Sequence, residues 1–271
     1  MKFSKLMTIV DGWLAHLPIQ RFRDPAPVVT VLRLHGVIGQ TGPMRSGLSL
    51  SKLDKSIDQA FTPRHLKTVI LSVNSPGGSP VQSALIAGRI RQLADEKDVP
   101  VVAFVEDVAA SGGYWLACAA DEIFADATSI IGSIGVISSG FGFPQVLDKV
   151  GIERRVHTTG ARKGMLDPFQ PESPEDIARL KSIQLDMHES FKGYVRERRG
   201  EKLIAPESEL FEGDIWTGGQ AISLGLVDGL GDIRSIMRKN FGERVKIRSV
   251  DVSGGFLQRL LSGALSRDIE R

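Results

Sequence analysis

Between residues 28 and 137 the chain alternates short apolar runs with longer stretches in which apolar residues return every three or four positions. Residues 28–34 (V-V-T-V-L-R-L) and 66–73 (L-K-T-V-I-L-S-V) are rich in β-branched side chains, and turn-forming residues follow each, which predicts two strands. Val81, Leu85, Ile86, Ile90 and Leu93 fall at helical spacing and predict a helix from Pro80 to Leu93. Residues 101–105 read as a short buried strand, 111–120 as a helix, and 123–125 and 134–137 as further short strands. Strands that are apolar almost throughout, alternating with helices, predict an α/β fold with a mainly parallel sheet and flanking helices. In such crossover units the working loops gather at the carboxyl ends of the strands.

Residues 140–172 are loop-rich, and a long helix starts after them. Ser173 is placed to cap it, Pro174 suits its first turn, and Ile177, Leu180, Ile183, Met187, Phe191 and Tyr194 form its apolar stripe. A second helix is expected near 219–224, a turn at Asp228-Gly229 and a strand at 244–250. The chain carries no internal repeat, low-complexity tract or linker, so one central domain (28–250) is expected between an N-terminal amphipathic extension (1–27) and a helical tail (251–271). The apolar run at residues 6–19 is interrupted by Asp11 and His16 and is shorter than the roughly 20 residues of a spanning helix, so no transmembrane anchor is read. Packing on the protein, on a partner subunit or peripherally on the inner membrane are all open to it. The expected location is cytoplasmic.

Composition narrows the function. A formal net charge of +2, from 34 basic and 32 acidic residues, gives no electrostatic reason to expect nucleic acid as a partner. Cys118 is the single cysteine, which excludes a disulfide scaffold and a multi-cysteine zinc site. No H-E-x-x-H or similar spacing occurs, and neither metal nor cofactor is expected.

Two glycine-rich turns carry the candidate chemistry. N-S-P-G-G-S (74–79) joins a strand to a helix, and amides at a helix start are free to hold an oxyanion. A-S-G-G-Y-W (110–115) puts Ser111 at the mouth of an apolar helix, with the Gly112 amide beside it. Taken alone, each turn also reads plainly: 74–79 as a simple turn, and Ser111 as an N-cap. As a nucleophile, Ser111 needs a base. His16, His35, His65, His157 and His188 lack a recognisable orienting partner, with His188 read as a surface residue. The alternative is Lys163 in the glycine-bounded loop G-A-R-K-G-M, with Ser133 of G-S-I-G as a second hydroxyl. A lysine serves as base only when neutral, which calls for an apolar surround. By spacing alone, Lys163 reads equally as a solvated surface charge.

Taken together, these motifs resemble the signal peptide peptidase A family, serine peptidases of the ClpP/crotonase-like fold. The resemblance runs from about Val29 to Asp232 and also includes A-A-D-E-I (119–123), G-S-I-G-V (132–136) and W-T-G-G-Q-A-I-S-L-G-L-V-D (216–228). It implies Ser111 as nucleophile, Lys163 as base, Ser133 as the residue that hydrogen-bonds the lysine, and Gly78 and Gly112 as oxyanion-hole amides. It further implies Gly77 and Trp115 in contact with substrate, a peptide substrate, and a homo-oligomeric ring or dome. Two departures are a tryptophan at 115 and an arginine at 162, where the family often has tyrosine. The competing readings are a crotonase-type acyl-CoA enzyme on the same core and a non-catalytic assembly protein.

Overall fold

The computed structural model describes residues 25–39, 47–160 and 162–250. The expected amphipathic segment at 6–19 and the tail 251–271 lie outside the described residues. In chain order the elements are β1 (Val28–His35), α1 (Leu50–Ala60), β2 (Leu66–Ser75), α2 (Pro80–Lys97), β3 (Val101–Ala110), α3 (Gly112–Ala117), β4 (Glu122–Ala125) and β5 (Ile130–Gly132). There follow α4 (Pro144–Lys149), α5 (Pro174–Arg199), a 3₁₀ turn (Gly200–Lys202), α6 (Glu207–Leu210), β6 (Ile215–Thr217), α7 (Gly218–Ser223), β7 (Gly229–Leu230), α8 (Ile233–Phe241) and β8 (Lys246–Val250).

The expected mainly parallel sheet is present. Its strand order is β6-β5-β3-β2-β1-β8, with β4 and β7 branching from β3, and β5–β6 is its antiparallel pair. The branch comes from a slip in β3. Val73 of β2 faces Val105, but Ser75 faces Ala109, so β3 bulges over residues 106–108. Below the bulge Val102–Val105 pair with β4; above it Val108–Ala110 pair with β5.

Two apolar layers follow from strands that are apolar on both faces. Leu32, Leu34, Leu71, Val73, Ala103 and Val105 point to α1, α2, α3 and the end of α5, whose buried residues complete the larger core. Val29, Val31, Ile70, Val102 and Phe104 point the other way, under Met237 of α8. Helix ends follow the sequence signals. Ser79 and Pro80 open α2, and the Ser173 hydroxyl accepts the Asp176 amide at 3.5 Å to open α5.

Four local readings change. The strand expected at 134–137 lies earlier, at Ile130–Gly132, because pairing with β3 stops where Ser111 leaves the sheet. The third helix is tighter than 111–120, running from Gly112 to Ala117. Gly229 begins β7 rather than closing a turn, and Asp228 is an ion-pair residue. The apolar stripe of α5 is buried only near its C-terminal end, at Phe191 and Val195, while Ile183, Leu185 and Met187 are exposed.

The C-terminal end of α5 is latched to the core. The Arg199 side chain, 2% exposed, donates from Nη1 to Asp228 Oδ2 (2.7 Å) and from Nε and Nη2 to the Gly225 carbonyl (3.1 and 2.8 Å). Asp228 Oδ2 also accepts the Ile123 amide at 2.7 Å, and its Oδ1 lies 3.0 Å from Lys202 Nζ. Tyr114 of α3 donates its hydroxyl to the Leu226 carbonyl at 2.8 Å in the same turn. One buried ion pair thus ties together α5, β4, the 225–228 turn and the helix that follows Ser111.

Candidate active site

The site is built where β2 and β3 end. Ala110 is the last residue of β3 paired with β5, opposite Gly132, and the Ser111 amide donates to the Gly132 carbonyl at 2.8 Å. The chain then turns sharply. Ser111 has φ +52° and ψ −124°, a conformation that costs a non-glycine residue roughly 1–3 kcal/mol. Its carbonyl accepts the amides of Tyr114 (2.9 Å) and Trp115 (3.1 Å), which starts α3, but its hydroxyl makes no capping bond. The structure therefore decides against a side-chain N-cap at Ser111: the backbone starts the helix and the hydroxyl is left over.

The β2–α2 turn lies directly against this corner. Gly77 has φ +102°, and a Cβ there would stand 2.8 Å from Ser111 Cβ and 2.9 Å from the Gly112 nitrogen. Gly78 has φ +142°, and its Cβ would meet the Ile38 carbonyl oxygen at 2.1 Å. Any side chain at either position would push the two turns apart. A Cβ on Gly112 would come within 3.4 Å of the Gly78 nitrogen, so those two backbones are neighbours. Among the described residues neither the Gly78 nor the Gly112 amide has an acceptor. Two free amides and one free hydroxyl thus converge at the ends of adjacent strands, an arrangement that can bind a developing oxyanion beside a nucleophile.

Ile38 buttresses this turn, a role sequence reasoning missed. Its amide donates to the Gly77 carbonyl (2.8 Å) and its carbonyl accepts the Ser79 amide (2.9 Å). These are backbone contacts, so the only sequence signal was a buried apolar residue between Gly36 and Gly39.

Ser133 follows Gly132 as Ser111 follows Ala110, so the two serines leave neighbouring parallel strands side by side. Ser133 shares the left-handed φ of +52°, is half-buried, and donates its amide to the Asp214 carbonyl at 2.6 Å. His188, read from sequence as a surface residue, is half-buried: its Nε2 lies 3.1 Å from the carbonyl oxygen of Ile134, next to Ser133.

Among the described residues Lys163 has no hydrogen bond to Ser111 or Ser133. It is exposed in the loop before α5, its amide donating to the Gly160 carbonyl at 3.1 Å, and among the described residues its amine has no hydrogen-bond partner. Trp115 is turned into the core. The residue is 8% exposed, and its ring stacks on Phe191 (4.8 Å between centroids) and Tyr194 (5.3 Å), so it seats α3 on α5. Cys118 offers no rival nucleophile, because burial pushes its thiol up to about 12. His157 is exposed in the same loop as Lys163.

The model of peptidase family S49 matches residues 93–244, and that of the NfeD1b N-terminal domain matches residues 42–142. The chain is 50% identical over 97% of its length to a Brucella abortus protein named Na(+)/H(+) antiporter NhaA, of which it covers 36%. It is 30% identical over 76% of its length to the chloroplastic serine protease SPPA of Arabidopsis thaliana, covering 31% of it. It is 28% identical over 84% of its length to protease 4 of Haemophilus influenzae, covering 37% of it. The chain thus spans about a third of the length of each of these three relatives. Among solved structures, the 1510-N membrane-bound stomatin-specific protease shares the fold with a TM-score of 0.53 at 19% identity, over 85% of this chain and 100% of that one. With the S49 model matching more than half of the sequence, including β3, Ser111 and Ser133, the chain belongs to peptidase family S49.

Proposed function

We propose that the protein is a serine endopeptidase that works by a Ser/Lys dyad. Ser111 Oγ attacks the peptide carbonyl carbon, and Lys163 Nζ takes the hydroxyl proton. The carbonyl oxygen, now negative, rests on the Gly78 and Gly112 amides. Lys163 returns the proton to the leaving amine, then takes one from the water that hydrolyses the acyl-Ser111 ester. Ser133 holds the amine through its hydroxyl. The observation that carries this reading is the Ser111 hydroxyl, free of any capping bond, held at a left-handed corner beside two amides without acceptors.

The exposure of Lys163 supports a site completed in a homo-oligomer. A base lysine needs a dry surround to be uncharged, and Lys163 is exposed to solvent. Large apolar side chains on the segments before and after it are also exposed: Ile137 and Phe141 at 87% and 82%, and Val150, Ile152 and Leu185 at about 60%. Exposed apolar side chains in such number suit a partner surface, and a neighbouring copy would both cover them and bring a Lys163 to a Ser111. The substrates that suit this reading are extended apolar peptides, such as signal-peptide remnants or cytoplasmic peptides, bound through main-chain hydrogen bonds.

The test is cleavage of a peptide library by the purified protein, with Ser111→Ala as control. Sequence-selective cleavage lost in the control is expected; equal cleavage by both proteins would overturn the reading. Mixing inactive Ser111→Ala and Lys163→Ala proteins separates the two dyad arrangements: regained hydrolysis means that the dyad crosses a subunit contact, and none means that it closes within one chain. For the oxyanion hole, Gly78→Ala is expected to lower kcat by at least about a hundredfold, because its Cβ would collide with the Ile38 carbonyl. Unchanged kcat would remove that amide from the mechanism.

A further inference from the structure

The turn that carries Gly78 is braced by one side chain that the proposed mechanism does not use. Ser75 ends β2, is fully buried and pairs with Ala109, two residues before Ser111. Its carbonyl lies against Gly113 of α3, where any Cβ would collide with the oxygen. Its hydroxyl oxygen accepts the Gly77 amide at 3.2 Å. One residue therefore touches both glycine turns of the site.

Two successive glycine amides follow Pro76, and their surroundings differ. Gly77 is buried and both of its polar groups are bound, the amide to Ser75 Oγ and the carbonyl to the Ile38 amide at 2.8 Å. Gly78 is exposed, and among the described residues its amide has no acceptor. The peptide unit between them is planar and trans, so the Gly77 carbonyl and the Gly78 N–H point in opposite directions. With φ of +102° and +142°, both residues have the backbone freedom that lets such a unit swing. Aiming the Gly78 N–H therefore requires Gly77 to be held on both sides. Ile38 holds it through main-chain atoms. Ser75 holds it through the only side chain that, among the described residues, is hydrogen-bonded to residues 76–78.

We infer that Ser75 is a positioning residue for the oxyanion hole: by engaging the Gly77 amide, its hydroxyl presents the Gly78 amide to substrate and fixes the direction of that N–H. The inference rests on the Ser111 reading, because it names what aligns the amides of that same site. Ser75 itself touches no reacting atom. Without its hydroxyl the buried Gly77 amide has no acceptor, a state that folded chains avoid. The turn relieves it by rotating toward water, and that rotation carries the Gly78 N–H off its line.

The test is kinetic, on the full-length protein with its best-cleaved library peptide. Ser75→Ala is expected to lower kcat about tenfold, less than loss of the amide itself, and to keep KM within about twofold. A trifluoromethyl ketone of the same peptide sequence reports the hole directly, because the Ser111 hydroxyl adds across its C=O and the former carbonyl oxygen rests on the two amides. Its inhibition constant is expected to rise by about the factor that kcat falls. Ser75→Cys, which keeps a weak acceptor, is expected to fall between serine and alanine, and it carries the test if the alanine protein does not fold. Thr68→Val is the control: it removes a buried hydroxyl bond to the Pro100 carbonyl (2.8 Å) near the start of the same strand and is expected to leave kcat unchanged. Absence of Ser111-dependent cleavage would overturn the dyad reading and this inference with it. An inactive Ser111→Ala beside unaltered kcat in the Ser75 variants, a loss confined to KM, or an equal loss in Thr68→Val would overturn the inference alone.

Discussion

Ser111→Ala is expected to lower peptide hydrolysis at least about a thousandfold while leaving the urea midpoint nearly where it was. The corner at residue 111 is held by backbone bonds, from its amide to Gly132 and to its carbonyl from Tyr114 and Trp115, and alanine keeps all three. Only the nucleophile is lost. Ser111→Gly is expected to be equally inactive and at least as stable as the alanine variant, since φ +52° suits glycine. Lys163→Ala is expected to match the loss of activity, and Ser133→Ala to fall short of it, because Ser133 orients the base rather than acting as one. Near-normal turnover by Lys163→Ala, measured on a cleaved library peptide, would remove the dyad.

The second large effect is on stability. Asp228→Ala is expected to cost about 3–5 kcal/mol in urea unfolding, because it leaves the Arg199 guanidinium buried without its counter-ion. Arg199→Met is expected to cost less: it removes the buried charge with its side chain, and Asp228 keeps Lys202 and the Ile123 amide. The pair also predicts an acid response. Burial works to raise the Asp228 carboxyl, but the hydrogen bonds from Arg199 and from the Ile123 amide outweigh it and hold the group below the usual carboxylate range. Its stabilisation is therefore complete above the unfolded value of about 3.9 and is lost as pH falls through the lower folded value. Asp228→Asn is expected to abolish that part of the acid destabilisation; an unchanged difference in stability between pH 6 and pH 3 would count against the latch.

The central strands and the principal helices were legible because their signals are local. β2 and α2 stand out by β-branched runs and by 3.6-residue periodicity, and α5 announced itself through Ser173 and Pro174. The strand misplaced at 134–137 shows the limit. Ile130-Ile131 and Ile134–Ile137 are equally apolar, and only pairing with the upper half of β3 selects the first. Around Ser111, the glycines could be read because close approach and left-handed backbone exclude other residues. Ile38, the Asp214 carbonyl and the Ile134 carbonyl could not, because they act through main-chain atoms that every residue carries. The inward turn of Trp115 was equally hidden, since it depends on Phe191 and Tyr194, far along the chain on α5.

The bulge in β3 divides the labour of one strand. Residues 101–105 serve the interior, while 108–110 aim the corner that follows, and the two residues between them set the phase of one against the other. Removing a single residue there would invert which side of the sheet the hydroxyl faces and leave the lower half of the hydrophobic layers undisturbed. Inserted or deleted residues at 106–108 would thus yield a folded chain with its reactive group pointing into the wrong half-space, a failure visible to a substrate and invisible to a melting curve.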